Sequence, residues 1–402
     1  MKFDTVIVGA SIAGYNVAKQ LRASNYPGTI ALIDQESFLP YDRKELSKNW
    51  LVDRNQPNPP YFQNRTYFNK QKITPFLNTT VTFINPTNKY LQTADGRDIY
   101  YEELVLATGS QLRKLNIENS DADGIFYLRN FEDALAIKKW IKKVKQVAIV
   151  GGGFIGLELA ASLNSMGIKV TVISSSPHPL AKTLGNDASN YFVNMHQARG
   201  VEFVLGQVAQ KFLVDADNRV NAVETNQGEV VPSEMVIVGI GVVLNVSIEI
   251  EGLNVDHGII VNEFGETALP HIYAAGDVAI WPYRGQMIHI EHWENAYHQG
   301  RSVAKNIVEN KSHAFSVMPY FWTDQYDETF EYLGYTRDWA DIVVRGDVKS
   351  GKFTLAYLDH DDIAQGILFA NKSESRKDIQ ALLNLNKALD RDKFMDKNKK
   401  LK

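Results

Sequence analysis

The feature that most constrains this chain is a pattern that occurs twice. Thr5-Val6-Ile7-Val8 runs into Gly9-Ala10-Ser11-Ile12-Ala13-Gly14, followed by Val17, Ala18 and Leu21 at helical spacing. About one domain length later, Gln146-Val147-Ala148-Ile149-Val150 runs into Gly151-Gly152-Gly153-Phe154-Ile155-Gly156, followed by Leu159, Ala160 and Leu163. Each copy reads as a β-branched strand, a tight glycine turn and a helix. Each then returns to a second strand, over 29–33 and 169–173. One glycine-rich turn is weak evidence, since unrelated α/β proteins carry such turns. Two copies in the same strand–turn–helix context predict an α/β fold with two Rossmann-like dinucleotide-binding units, in which glycines make the turn, admit a pyrophosphate and let helix and strand pack closely.

The copies differ at positions that touch a ligand. The first has Ser11 as its middle residue, and its return strand ends at Asp34, a carboxylate able to accept both hydroxyls of an adenosine ribose. The second keeps all three glycines, but its strand ends in Ser174-Ser175-Ser176 with no acid.

Composition narrows the chemistry. The 402 residues suggest two or three domains at roughly 150 residues each. The 43 basic and 47 acidic side chains leave a net charge of −4, which gives no reason to expect nucleic acid or an anionic membrane as partner. No apolar run is long enough to insert in a membrane, and the apolar start of the chain reads as a strand and turn rather than a signal peptide. There is no cysteine. Disulfide exchange, thiolate metal sites and a catalytic thiol are therefore excluded, and a cytoplasmic location is expected. No metal is expected either: His289-Ile290-Glu291-His292 has short His/Glu spacing but lacks a third ligand. Past about residue 313 strands alternate and then give way to a helix. The lysine-rich stretch 387–402 reads as a solvated, disordered basic tail.

Shorter motifs carry a resemblance. Pro40-Tyr41-Asp42-Arg43 with Leu46-Ser47-Lys48, Leu106-Ala107-Thr108-Gly109, Gly151–Glu158, Gly239-Ile240-Gly241-Val242, the stretch 272–277, His292-Trp293 with Asn295-Ala296 and Gln299-Gly300, Phe321-Trp322-Thr323-Asp324-Gln325, and Val344-Arg345-Gly346-Asp347 occur in this order. In these motifs the chain resembles the FAD-dependent, NAD(P)H-oxidising ferredoxin reductases of the putidaredoxin reductase type. That family is related to the glutathione reductase superfamily and to apoptosis-inducing factor. The likeness extends to about residue 385. It departs from the family at Lys44-Glu45, where two prolines are usual, and at Leu244, where proline is usual.

The resemblance implies a discontinuous FAD domain over 1–112 and 246–312, an inserted NAD(P) domain over 113–245, and a C-terminal α+β domain over 313–402. It implies that Lys48 and Glu158 pair beside the reactive edge of the flavin. From position alone, Glu158 also reads as a solvated glutamate favoured at a helix start. Gly9, Ser11, Ala13, Gly14, Asp34, Ala107, Thr108, Gly109 and Asp277 would hold FAD. Arg43 would meet its pyrophosphate, although a surface salt bridge suits the same position. Trp293 and Trp322 would lie against the isoalloxazine, unless they are ordinary core aromatics. Gly151, Gly153, Phe154, Ile155, Gly156, Ser174 and Gly241 would receive NADH or NADPH. Family members that prefer NADH carry a glutamate where Ser174 stands, so discrimination between the two nicotinamides is expected to be weak.

The function so implied is electron transfer from NAD(P)H through FAD to a ferredoxin-like iron–sulfur protein, by a monomer or homodimer. An NAD(P)H oxidase or quinone or dye reductase, and a redox-controlled interaction protein resembling apoptosis-inducing factor, are the alternatives.

Overall fold

A computed structural model describes residues 1–53, 55–253, 255 and 257–401. They divide into two compact units, the first built from 1–44, 56–111 and 242–317, the second from 45–55, 112–241 and the chain from 318 on.

The first unit is organised by the strand Lys2–Val8. Its residues Val6, Ile7 and Val8 are buried, as expected of a strand covered on both faces. It lies between Ile30–Ile33 and Asp98–Leu106, both parallel to it. Ile73–Phe76 extends the sheet on one side, and Ile272–Ala274 pairs in parallel with residues 104–106 on the other. A strand from beyond residue 242 thus completes the parallel part of a mixed eight-stranded sheet begun at residue 2. The helices Ile12–Ala23 and Trp293–Val308 share one apolar cluster, with Ala13, Val17, Ala18 and Leu21 from the first and Ala296, Val303 and Ala304 from the second. Their backbones cross closely: a Cβ at Gly300 would stand 2.3 Å from the carbonyl oxygen of Ala13.

The second unit contains a fully parallel sheet, in spatial order Glu202–Leu205, Lys169–Ser174, Gln146–Val150, Met235–Val238 and Ile125–Tyr127. Helix Phe154–Ser165 follows the second glycine turn. A separate antiparallel sheet is made of Tyr320–Gln325, Glu328–Gly334, Ala364–Ala370, Lys352–Leu358 and Asp341–Asp347. One cluster joins the parallel and antiparallel parts: Leu157, Leu159 and Leu163 pack in the same core as Phe321, Phe330, Tyr332 and Phe353. The Phe154 ring meets Phe321 edge-on at 5.1 Å.

The expected disordered tail is corrected by the structure. Residues Arg391–Met395 form a helix, and Phe394 and Leu401 are buried in a cluster with Ile379 and Leu383. Lys402, also assigned to that tail, lies outside the described residues. The reason is a cation far upstream. Arg345, only 6% exposed, donates to Glu374 Oε1 at 2.5 Å and to the carbonyls of Phe394, Asp396 and Lys399 at 2.7, 2.6 and 2.9 Å. Low apolar content hid this, because the segment is held through its backbone carbonyls rather than through many side chains.

Candidate functional site

In both glycine units the first and third glycines are forced by the protein's own packing. A Cβ at Gly9 would stand 2.1 Å from the Ala107 carbonyl oxygen, and one at Gly14 would stand 1.9 Å from that of Gly9. Gly151 and Gly156 repeat this, at 2.2 Å from the Gly239 oxygen and 2.1 Å from the Gly151 oxygen. Gly9 and Gly151 also have φ of +102° and +123°, where an L side chain is strained. The middle position is different. A Cβ at Gly153 would meet nothing within 4 Å. Packing does not require glycine there, whereas a phosphate at the start of the helix would. Neither Ser11 nor Gly153 provides a side-chain cap to the helix it precedes.

Strand register establishes which residues correspond. Val8 pairs with Ile33 and Val150 with Ile173, while the Gly9 and Gly151 amides each donate to those partners' carbonyls at 2.8 Å. Asp34 and Ser174 therefore occupy the same position in their units. Asp34 accepts from the Ala10 amide at 2.6 Å and, through its other oxygen, from the Glu36 amide at 2.9 Å. Ser174 is buried under the second turn, its Oγ 2.9 Å from where a Gly152 Cβ would lie.

Beside Asp34 lies a shallow pocket open to solvent, lined by Ala10, Ser11, Asp34, Glu36, Phe38, Leu39, Pro40, Tyr41 and Arg43. Arg43 lines this pocket and pairs with Glu36 at 2.5 Å. Tyr41 donates to the other Glu36 oxygen at 2.6 Å. Farther along the first unit, Thr108 donates to the Asn245 carbonyl at 2.7 Å, and the Asn245 amide donates to Gly109 at 2.9 Å, which fixes the 107–109 segment. Asp277 accepts from Ser110 at 2.6 Å, and the Gly276 amide donates to Gln299 at 2.8 Å. Ala13 supports the helix crossing at Gly300 and stands 3.0 Å from a Cβ built at Gly276. Trp293 stacks on Tyr297, donates to Asp42 at 3.0 Å, and has the Lys44 ammonium 4.4 Å from its ring.

In the second unit Glu158 is 5% exposed, which excludes its reading as a solvated helix-start residue. Its Oε1 receives Lys48 Nζ at 3.1 Å and the Thr323 hydroxyl at 2.7 Å, and its Oε2 receives the Ser47 hydroxyl at 2.8 Å. Lys48 also reaches Asp324 at 3.3 Å, and the Trp322 indole donates to the same carboxylate oxygen at 3.1 Å. Burial pushes the Glu158 carboxyl above the usual glutamate range, against the opposing pull of Lys48 and the two hydroxyls. Phe154 packs on Phe321, while Ile155 stays 48% exposed at the helix start. Gly241, at φ +92°, accepts from the Arg113 amide at 3.1 Å.

A family description, pyridine nucleotide-disulphide oxidoreductase, matches residues 3–300. The chain belongs to that family. A second description, reductase C-terminal, matches residues 320–402. Relatives include a ferredoxin–NAD(P)(+) reductase of Sphingomonas sp., 34% identical over 88% of this chain and 86% of its own length. The ferredoxin reductase subunit of 5,5'-dehydrodivanillate O-demethylase from Sphingobium sp. is 32% identical over 100% of this chain and 98% of its length. A solved ferredoxin reductase from Rhodopseudomonas palustris superposes with TM-score 0.92 at 32% identity, covering 99% of this chain and 98% of that one. Putidaredoxin reductase, solved in covalent complex with putidaredoxin, gives TM-score 0.89 at 30% identity over 95% and 93%.

Although its family is named for disulphides, the chain has no cysteine to run that chemistry. The described residues contain no helix long and apolar enough to cross a membrane and no cluster of three or more His, Cys, Asp or Glu placed to hold a metal ion. Sequence reasoning passed over Ser47, Thr323, Gln325, Asn245 and Gln299 as partners of the site. All but Asn245 lie inside the motifs described above, but their residue types give no signal of what they contact.

Two histidines outside the expected site set an acid limit. Burial lowers His196 and His292 to about 4 from 6.5. Between those values the unfolded chain binds protons that the native one does not, so stability falls as pH drops through this window. Each histidine contributes a loss of about 2 kcal/mol by pH 5. Denaturant midpoints measured at pH 7 and pH 5 should differ accordingly, and His196→Phe should reduce the difference.

Proposed function

We propose that this chain is a flavoprotein reductase that takes a hydride from NADH or NADPH onto FAD and passes electrons singly to a small iron–sulfur protein of the ferredoxin type. The observation that carries the reading is the pair of structurally equivalent glycine units with different strand ends, Asp34 in one and Ser174 in the other. The first fits FAD: Asp34 and the pocket beside it suit an adenosine ribose, and the uncapped helix start suits the pyrophosphate. Bound FAD supplies the ability to accept a hydride and release its electrons one at a time.

We assign Gly9, Ser11, Gly14, Asp34, Arg43, Ala107–Gly109, Asp277 and Trp293 to FAD, with 1–112 and 246–312 as its domain. Gly151, Gly153–Gly156, Ser174 and Gly241 are assigned to the nicotinamide, with 113–245 as its domain, and 313–402 as the third. Trp322 is assigned to the isoalloxazine, and Lys48 and Glu158 to the hydride step. There the Lys48–Glu158 pair holds a fixed charge, and its hydroxyl donors keep the carboxylate oriented. We set the activity in the cytoplasm, alongside its nicotinamide substrate. The iron–sulfur acceptor is supported by relatives named for ferredoxin, putidaredoxin and rubredoxin reduction.

The deciding experiment is stopped-flow reduction of the yellow protein by NADH and NADPH, followed by mixing with a [2Fe–2S] ferredoxin. Flavin reoxidation through the ferredoxin, faster than through O₂ or a quinone, is expected. Protein that neither purifies with FAD nor takes it up would overturn the reading, and preferential oxidation by O₂ would favour an oxidase.

Ser174 decides the nicotinamide. Without a carboxylate there to repel a 2′-phosphate, kcat/KM for NADH and NADPH should agree within about tenfold. Ser174→Glu should raise the NADPH KM and leave NADH efficient. A wild-type protein that already rejects NADPH strongly would place another acid at that ribose.

A further inference from the structure

A one-way chain of hydrogen bonds leads to Glu158 from a buried histidine outside every recognised motif. Thr323 Oγ1 donates to Glu158 Oε1 at 2.7 Å, which uses its only proton. It therefore accepts from Gln325 Nε2, 3.1 Å away. That orients the Gln325 amide so that its Oε1 faces His196 Nε2 at 2.8 Å. His196 must then carry its proton on Nε2, and its Nδ1 accepts from the Tyr326 hydroxyl at 3.1 Å, closer than that hydroxyl's other acceptor, Asn164 Oδ1, at 3.4 Å. Every bond points the same way, from a half-buried phenol to a buried carboxylate. Thr323, Gln325, His196 and Glu158 are all buried.

We propose that His196 is a positioning residue for Glu158: by holding the Gln325 amide in one orientation, it keeps the Thr323 hydroxyl donating and so favours the ionised carboxylate. This deepens the reading that Glu158 serves the hydride step, and rests on it for its functional meaning. The chain is an orienting device and not a proton wire, because a primary amide in the middle does not pass a proton on. Its polarity also requires a neutral imidazole, which the burial of His196 secures. An imidazolium would need an acceptor at Nδ1 and would reverse the Tyr326 bond. The charged and titratable groups around the two ends are Lys48 and Asp324 beside Glu158, and Arg199, Glu328 and Tyr326 beside His196.

The test reads the carboxyl group directly. Infrared difference spectra of the oxidised holoprotein are recorded across pH, and the protonated-carboxyl band of Glu158 is identified by its loss in Glu158→Gln. Thr323→Val deletes the final donor and should raise the titration midpoint by about one pH unit. His196→Phe and Gln325→Met should each raise it in the same direction, and the two combined should add little to either alone. Tyr326→Phe, at a half-buried position, should give a smaller rise and keeps the experiment decidable should a core variant fail to fold. A Glu158 band that titrates as in wild type in every folded variant of His196, Gln325 and Tyr326, while Thr323→Val moves it, overturns the proposal. Flavin reduction untouched by Glu158→Gln would instead sink the role of Glu158 in hydride transfer, with the orienting chain still standing.

Discussion

Lys48→Met should destabilise the second unit by about 3–5 kcal/mol, because it strands a buried carboxylate. Glu158 would keep the Thr323 and Ser47 hydroxyls but lose the Lys48 ammonium at 3.1 Å. Asp324 would suffer less, since Trp322 and the Thr329 hydroxyl still donate to it. The discriminating variant is the double replacement Lys48→Met/Glu158→Gln. A neutral amide at 158 can accept from Thr323 and turn its NH₂ towards Ser47, so the double variant should be more stable than Lys48→Met alone. Flavin reduction by NADH should be impaired in both, because stability returns without the charge pair. Urea unfolding and stopped-flow reduction on the same preparations separate the two effects. A Lys48→Met protein as stable as wild type would mean that Glu158 is held neutral in the native state.

The second large effect is expected at Arg345. Its guanidinium is buried and donates to one carboxylate and several main-chain carbonyls of the last described residues. Arg345→Met leaves Glu374 without its cation and those carbonyls without their donor, a loss of about 3–5 kcal/mol. Limited proteolysis should then cut within 386–401 under conditions in which the wild type is resistant. Arg345→Lys should recover little, because one ammonium cannot span the positions that a planar fork reaches. An Arg345→Met protein whose end stays protected would show that Phe394 and Leu401 suffice to hold it.

What could be read from the sequence follows from how locally each feature is encoded. Asp34 and Ser174 were legible because a glycine turn and a strand of fixed period place them within one βαβ unit. The partners of Glu158 were not: Ser47 lies 111 and Thr323 lies 165 positions away. A serine or threonine in a loop or strand gives no sign of which carboxylate it will meet. The composition change near 313 does mark a switch to antiparallel strands, but apolar patterning did not reveal that Phe321 and Tyr332 share a core with the helix after the second glycine turn. The chain's end was misread for a related reason. Two apolar anchors and a distant arginine do what a periodic face usually does.

The strand Ile272–Ala274, which closes the parallel part of the first unit's sheet against residues 104–106, imposes an order of events during synthesis. At a ribosomal rate of about 5–20 residues per second, the Asp98–Leu106 strand waits on the order of ten seconds or more for that partner to emerge. During this wait the helix Ile12–Ala23 also lacks the helix Trp293–Val308 that will cover it. All five strands of the second unit's parallel sheet lie between Ile125 and Val238 and can pair meanwhile. The nascent chain thus finishes its second nucleotide-binding sheet before its first, and carries an open β edge until it does. Fragments ending near residue 241 keep that edge permanently, and aggregation of such fragments is the expected cost of inserting one unit inside another.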